Sequence, residues 1–504
     1  MDERNKRIAR NTIAIYLRMF ISMVVSLYTS RVVLQVLGVS DYGIYVLVGG
    51  VVIMFSFLND ALGGSTSRFI NYAMGLKDSQ YLKKTFRTAL LSHLIISLSV
   101  LILCETIGVW LLVNKLVVPE DRLFAAHIVL QFSILSMCLG ILQGPYSACI
   151  IAHEKFTIYA YVEILVVVLK LAIVFALLLV NADKLIVYAL LVCLVTFISV
   201  IIYVIYSARR FSEVSFIPLY QKELLYPMLS FSGWRFFGCL TDTFSAQGRN
   251  MVLNVFFGTI LNAAAGLANT IQSVISGFAY NVMVPFRPQI VMCYAEKNYS
   301  RMQYLIEQAF AMSNLLFLLV GIPVFAECDY ILHLWLVEVP EYTVPFVRVT
   351  LLASLICNSY GFAGTILGAS GNIKLSQINI GVLNFIAIII SYLFFLYGFS
   401  PVWAYYPVVF IYLFIFIFNF YLIKKYIPAL NIRSILVNGF LKDILILICC
   451  SLALWMNCLF MESGFLRLLI NTILNILIIG IGCYYFIMTS SMRLELVNKL
   501  KSYL

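Results

Sequence analysis

Charge is what this chain has least of. Asp, Glu, Lys and Arg make up 11% of the 504 residues and hydrophobic residues 62%, whereas a soluble globular chain carries about 25% charged residues. An ordinary soluble domain is thereby excluded. Histidine is scarcer still, with His93, His127, His153 and His333 far apart in sequence. The twelve cysteines fall mostly inside apolar runs and form no CxxC. Neither a zinc site nor a disulfide framework is suggested, and His93 and His127 read as packed or interfacial residues. There is no Walker loop, so ATP is not the direct driver. Connections are mostly under about fifteen residues, which leaves no room for a soluble catalytic domain. No cofactor and no metal are expected, and no enzymatic activity.

What is there is apolar runs of about 20 residues, repeated almost end to end, each long enough to cross a bilayer as a helix. None shows the ten-residue alternation of a barrel strand. The expected fold class is all-α, a polytopic membrane protein with about fourteen transmembrane helices. The charged segment Met1–Arg10 and the long first apolar run, from about 12 to 37, do not fit a cleavable signal, so the first span is expected to be retained. The net charge of +11 is explained by loops rather than by nucleic acid, because Lys and Arg sort to one side of the spans. By the positive-inside rule both termini are cytoplasmic.

The chain reads as two halves and a tail. Arg31 and Arg249 are 218 positions apart and Arg68 and Arg287 are 219 apart, while Pro119 and Pro340 are 221 apart, each pair in matching context. Six helices separate each landmark from its copy, and an even number preserves topology. The expectation is two parallel, pseudo-symmetric six-helix lobes with a site between them. Lobe boundaries are set at 1–210 and 225–428, with a cytoplasmic linker at 211–224 and two accessory C-terminal helices in 429–504.

The stretch from Met228 to Gly258 carries Arg235, Asp242 and Arg249 at i, i+7 and i+14. On a helix these lie within about 40° of one another and form a single line. An ionised side chain at the bilayer centre costs about 2.5–3.5 kcal/mol even on a lenient scale, so this line requires a wet or protein-lined surrounding. Other ionisable residues within spans are Arg18, Arg31, Asp60, Arg68, Glu105, Glu163 and Lys170. The deeper charges carry an excess of arginine, which suits a phosphate or diphosphate because guanidinium presents a planar fork to its oxygens. Candidate substrate contacts are therefore Arg249, Arg235, Arg31, Arg18 and Arg68. Asp242, Asp60, Glu163 and Lys170 are candidates for ion coupling or charge pairing. Arg18, Arg31, Arg68 and Arg235 also fit snorkelling to an interface. Gly144 and Pro145 mark a breakable fourth span, where Pro145 frees a backbone carbonyl.

RNTIAIYLRMFISMVVSLYTSRVVLQVLGVSDYGIYVLVGGVVIMFSFLND, followed by RFINYAMG and IIAHEKFTIYAYVEI, resembles the polysaccharide repeat-unit flippases of the multidrug, oligosaccharidyl-lipid and polysaccharide exporter superfamily. The resemblance implies an alternating-access transporter of the bacterial inner membrane. Its substrate would be an oligosaccharide on polyprenyl diphosphate, moved to the outer leaflet for O-antigen, lipopolysaccharide, capsule or exopolysaccharide synthesis. Membrane lipids, polymerases, and a proton or sodium ion are the implied partners. Two rivals stay open: a cation-coupled drug exporter of the same superfamily, which would want an acidic cavity, and an integral-membrane glycosyltransferase or polymerase, which would want a larger loop.

Overall fold

The computed structural model describes residues 3–53, 55–114, 118–179, 181–257, 259–335, 339–487 and 493. The side chains of Arg31 and Asp60 lie outside the described residues. Every regular element among the described residues is helical. Among the described residues fourteen long helices run in order: α1 Glu3–Ile53, α2 Ser56–Gly75, α3 Ser79–Leu103, α4 Leu123–Ala152, α5 Phe156–Leu177, α6 Lys184–Arg210, α7 Lys222–Phe257, α8 Thr259–Ala295, α9 Tyr299–Ala326, α10 Thr343–Ser370, α11 Lys374–Leu396, α12 Tyr406–Tyr426, α13 Lys442–Phe460 and α14 Phe465–Gly482. α3 continues through a π-turn, Cys104–Gly108, to Asn114, and α13 is preceded by Ile432–Ile435 and a π-turn, Leu436–Leu441.

α1 bends at Gly38, whose φ of 78° and ψ of 166° lie outside helical space. Only glycine takes that conformation without strain, so the first two spans meet there. The sequence places the second span in one piece from about 42 to 73. Instead the helix stops at Ile53 and resumes at Ser56.

Ten helices among the described residues are long and apolar enough to cross a membrane. α1, α2, α7 and α8 are not among them, and these four carry Arg18, Arg31, Asp60, Arg68, Arg235, Asp242, Arg249 and Arg287. In the apolar helices large side chains such as Ile389, Phe410 and Ile417 are more than half exposed, an arrangement stable where lipid rather than water is the solvent.

The chain forms two compact units, a first of Ala9–Phe236 and a second that takes Phe237 onward together with the residues before Ala9, so that α7 is divided between Phe236 and Phe237. In the first unit α4 is the hub, packing on α2, α3 and α6, while α5 packs on α6. In the second, α10 packs on α8, α9 and α12, and α11 on α12. The helices correspond one for one at an offset of six.

Local geometry repeats as well. The turn after α2 contains Lys77 and the turn after α8 Lys297, both left-handed at φ 57° and 58°. The next residue in each case caps the following helix: Asp78 accepts from the Gln80 and Tyr81 amides, and Asn298 from the Arg301 amide. The two turns are 220 positions apart, matching the spacing of the sequence landmarks. The fold is therefore two pseudo-symmetric six-helix sets plus the C-terminal pair α13 and α14.

Candidate functional site

In the first unit α1 meets α5 through Arg18. Its Nη1 donates to the Tyr159 hydroxyl at 3.3 Å, stands 3.9 Å from Glu163 Oε2, and the guanidinium lies 5.2 Å from the Tyr159 ring centre. The Tyr203 hydroxyl of α6 donates to the other oxygen of Glu163 at 3.3 Å. Arg18 and Glu163 are therefore joined in one part-buried polar assembly, while Lys170, on the same helix as Glu163, is exposed.

α2 and the first half of α7 carry the next two arginines. Ser65 Oγ donates to the Met228 carbonyl, and Phe69 meets Phe231 edge-on at 6.4 Å. Arg68 is ringed by aromatic faces, at 4.6 Å from Phe69, 5.6 Å from Tyr72 and 5.4 Å from Phe231. These rings stabilise the cation through their negative faces. One turn away, Gly64 admits Arg235: a Cβ there would stand 3.5 Å from its Nε and Nη2. Arg235 Nε is buried and has no hydrogen-bond partner among the described residues.

The second half of α7 lies in the second unit, against α11. Asn384 Nδ2 donates to Asp242 Oδ1 at 2.7 Å, and Ser245 Oγ donates to the Asn384 carbonyl. Gly238, Gly248 and Gly381 make the approach close, since a Cβ on any of them would fall within 3 Å of Gln377, Ile388 or Phe237 respectively. Arg249 Nη1 donates to Ser245 Oγ at 3.0 Å, and its guanidinium lies 5.8 Å from the Tyr405 ring. Both partners are neutral. Arg287, the repeat partner of Arg68, likewise sits on an aromatic ring, 4.6 Å from that of Tyr280, and donates to its hydroxyl at 2.8 Å.

Two further constellations were not singled out by sequence. Arg122, before α4, donates to Asp41 at 2.9 Å and to Asp183 at 2.7 Å, tying together the bend of α1 and the N-cap of α6. His153, at the end of α4, reaches the segment after α6: its Nε2 lies 2.5 Å from Glu213 Oε1 and its ring stacks on Phe211 at 4.1 Å. Burial pushes the Glu213 carboxyl up, but the His153 contact and its own backbone amide outweigh that and hold it below its ordinary value. Arg87 Nε fastens the same segment by donating to the Ile217 carbonyl.

Between α3 and α4 a groove of about 460 Å³ is lined by Leu94, Leu98, Phe132 and Leu135, with Glu105 accepting from Gln131 at one end. Among the described residues no group of three or more His, Cys, Asp or Glu is placed to hold a metal ion.

No family model matches this chain, and no curated protein does. Solved structures match over most of its length. An outward-facing multidrug resistance MATE family transporter of the MOP superfamily shares 14% identity at a TM-score of 0.72, covering 84% of this chain and 96% of its own. A MOP superfamily transporter from Pyrococcus furiosus, described as having a binding pocket of reverse polarity that suggests a different function, shares 13% at 0.70 over 84% and 96%. The MATE transporter ClbM in complex with Rb+ shares 15% at 0.70 over 85% and 96%. Likeness at this level of identity speaks to architecture, and the architecture of this chain is that of the MATE transporters of the MOP superfamily.

Proposed function

We propose that this chain is a multi-pass membrane exporter working by alternating access, with residues 1–210 and 225–428 as its two lobes, and that its cargo is an anionic amphiphile. The cargo class is a polyprenyl-diphosphate-linked oligosaccharide carried across the bacterial inner membrane for surface polysaccharide synthesis. The observation that carries this reading is the setting of Arg235 and Arg249 on α7. Arg235 has a buried nitrogen that no described residue engages, and Arg249 is held by a hydroxyl and an aromatic ring. A guanidinium positioned by neutral groups keeps its charge available for phosphate oxygens. Arg68, caged by rings, adds a third cation. Arg18 has the Glu163 carboxylate beside it, so its contribution is to hold α1 on α5.

A drug exporter of the same superfamily is the second reading. It is favoured by the structural neighbours, one of which is described as a multidrug resistance MATE family transporter, and by the carboxylate of Asp242 on α7, which remains exposed beside Asn384. The Rb+ complex of one neighbour supports cation coupling under either reading, with Asp242 and Asp60 as candidates. Differential affinity of loaded and empty carrier for the two access states is what moves the cargo.

Reconstituted protein decides between them. Liposomes given a labelled polyprenyl-diphosphate oligosaccharide should show its appearance in the opposite leaflet with wild type and loss with Arg249→Ala. A cationic dye should not be taken up. Dye uptake that persists in Arg249→Ala and is lost in Asp242→Asn, without movement of the lipid-linked sugar, would establish the second reading.

A further inference from the structure

α13 and α14 pack on α9 through polar side chains placed at mid-span. Ser313 and Asn314 of α9 and Asp443 of α13 are 0%, 3% and 4% exposed. The helical run from Ile432 reaches Asp443 after 11 residues and α9 reaches Asn314 after 15, which puts both about 16–22 Å along their helices. A carboxyl at that depth in an apolar protein is uncompensated unless something neutralises it.

The surrounding hydrogen bonds are directional. Asn358 Nδ2, from α10, donates to Asn314 Oδ1 at 2.9 Å and to Ser313 Oγ at 3.1 Å. With its oxygen taken, Asn314 turns its nitrogen to the carboxyl, and Nδ2 donates to Asp443 Oδ2 at 3.0 Å. The second oxygen, Oδ1, is buried with no hydrogen-bond partner. The seat is closely packed: a Cβ on Gly439 would stand 2.9 Å from the Phe310 ring, and one on Gly482 2.7 Å from Ile446. The π-turn Leu436–Leu441 lies immediately before Asp443, and such turns are frequent at functional sites.

We propose that Asp443, held by the Ser313–Asn358–Asn314 chain where α13 packs on α9, is a proton-binding site. A metal cation would need several oxygen ligands converging on it, whereas here an amide nitrogen faces the carboxyl. A proton needs only the one unpartnered oxygen. Among the described residues, other titratable groups around it include Lys442, beside it on the same helical run, Cys483 at the end of α14, and Glu307 on α9, which already accepts from Gln303, Ser434 and Asn438. The protonated, neutral carboxyl fits the dry seat, and proton release draws in water and loosens α13 from α9. Proton occupancy thus sets how firmly the C-terminal pair is held, whatever the cargo.

Infrared difference spectra of the full-length protein in lipid nanodiscs test this without transport. Wild type should show the carbonyl band of a protonated carboxylic acid at neutral pH, and Asp443→Asn should lose it. Asn314→Leu should keep the band but shift it, because one hydrogen bond to the carboxyl is gone. Identical spectra from wild type and Asp443→Asn would overturn the proposal. So would thermal stabilisation by sodium over choline that Asp443→Asn abolishes, because that would make the site a metal site.

Discussion

His93 on α3 donates from Nδ1 to the Ile141 carbonyl of α4 at 2.6 Å. That carbonyl is the one Pro145 leaves without its helical partner, because proline has no N–H to donate to the residue four before it. His93 Nε2 then accepts from Thr66 Oγ1 of α2 at 2.8 Å, so one fully buried ring satisfies the hub helix and joins three helices. Gly144 makes the space, since a Cβ there would lie 2.2 Å from His93 Cε1. His93→Ala should lower stability by about 1–3 kcal/mol, the cost of leaving buried polar groups unsatisfied. Gly144→Ala should destabilise wild type but cost much less in the His93→Ala background, where the ring no longer competes for the space. Thermal unfolding of the four proteins in one detergent gives the cycle directly.

Arg235 and Gly64 make a graded test of the cationic site. A methyl at Gly64 would be at ordinary contact distance from the guanidinium, 3.5 Å, so Gly64→Ala should leave export within about twofold of wild type. Gly64→Leu must displace Arg235, and export should fall about tenfold or more, as in Arg235→Ala, given about 1.5–3 kcal/mol for a charged hydrogen bond to cargo. The double variant should be no worse than either single. Additive losses in the vesicle assay would mean that Gly64 acts on packing alone.

Glu327 and Arg467 tie the end of α9 to α14. Arg467 Nε and Nη2 donate to the two carboxylate oxygens at 2.8 Å each, and Asn471 Nδ2 adds a third bond at 2.7 Å. Glu327 is 1% exposed. Arg467→Ala strands a buried carboxylate and should cost about 3–5 kcal/mol, whereas Glu327→Gln with Arg467→Met removes both charges and should recover most of it. Unfolding midpoints of single and double variants provide the comparison; a double variant as unstable as Arg467→Ala would contradict it.

The pairing of Glu213 with His153 makes stability depend on pH. The Glu213 carboxyl titrates below its ordinary value of 4.5 in the folded chain. Its stabilisation is therefore fully present above the unfolded value and is lost as pH falls through the lower folded one. Glu213→Gln should be less stable than wild type at neutral pH, and the gap should close on acidification below about 4.5. Melting curves across that range check the sign. A gap that widens toward acid would contradict it.

Much of the architecture was legible in the sequence because hydropathy and helical period are local properties. About fourteen spans and the repeat at offsets of 218 to 221, though not the bend at Gly38, which appeared only in the fold, followed from the order of residues. So did the placing of in-span charges, which fall chiefly on α1, α2, α7 and α8. The freed carbonyl beneath Pro145 was legible too, since its cause is one covalent ring. The depth of Asp443 was not, because hydropathy alone started that span at Lys442, and the helix in fact runs from Ile432 through a π-turn.

Partnership belonged to the tertiary structure. From sequence, Glu163 was a candidate for charge pairing with no partner named; in the fold it meets Arg18, 145 positions away. Nothing local says that His93 answers Ile141, that aromatic rings enclose Arg68, or that Glu327 is matched by Arg467 from the accessory C-terminal pair. A helix's own sequence sets which face carries charge. Which neighbour meets that face depends on how helices far apart in the chain rotate and cross, and that is decided only when apolar surfaces pack and each buried polar group must find a partner.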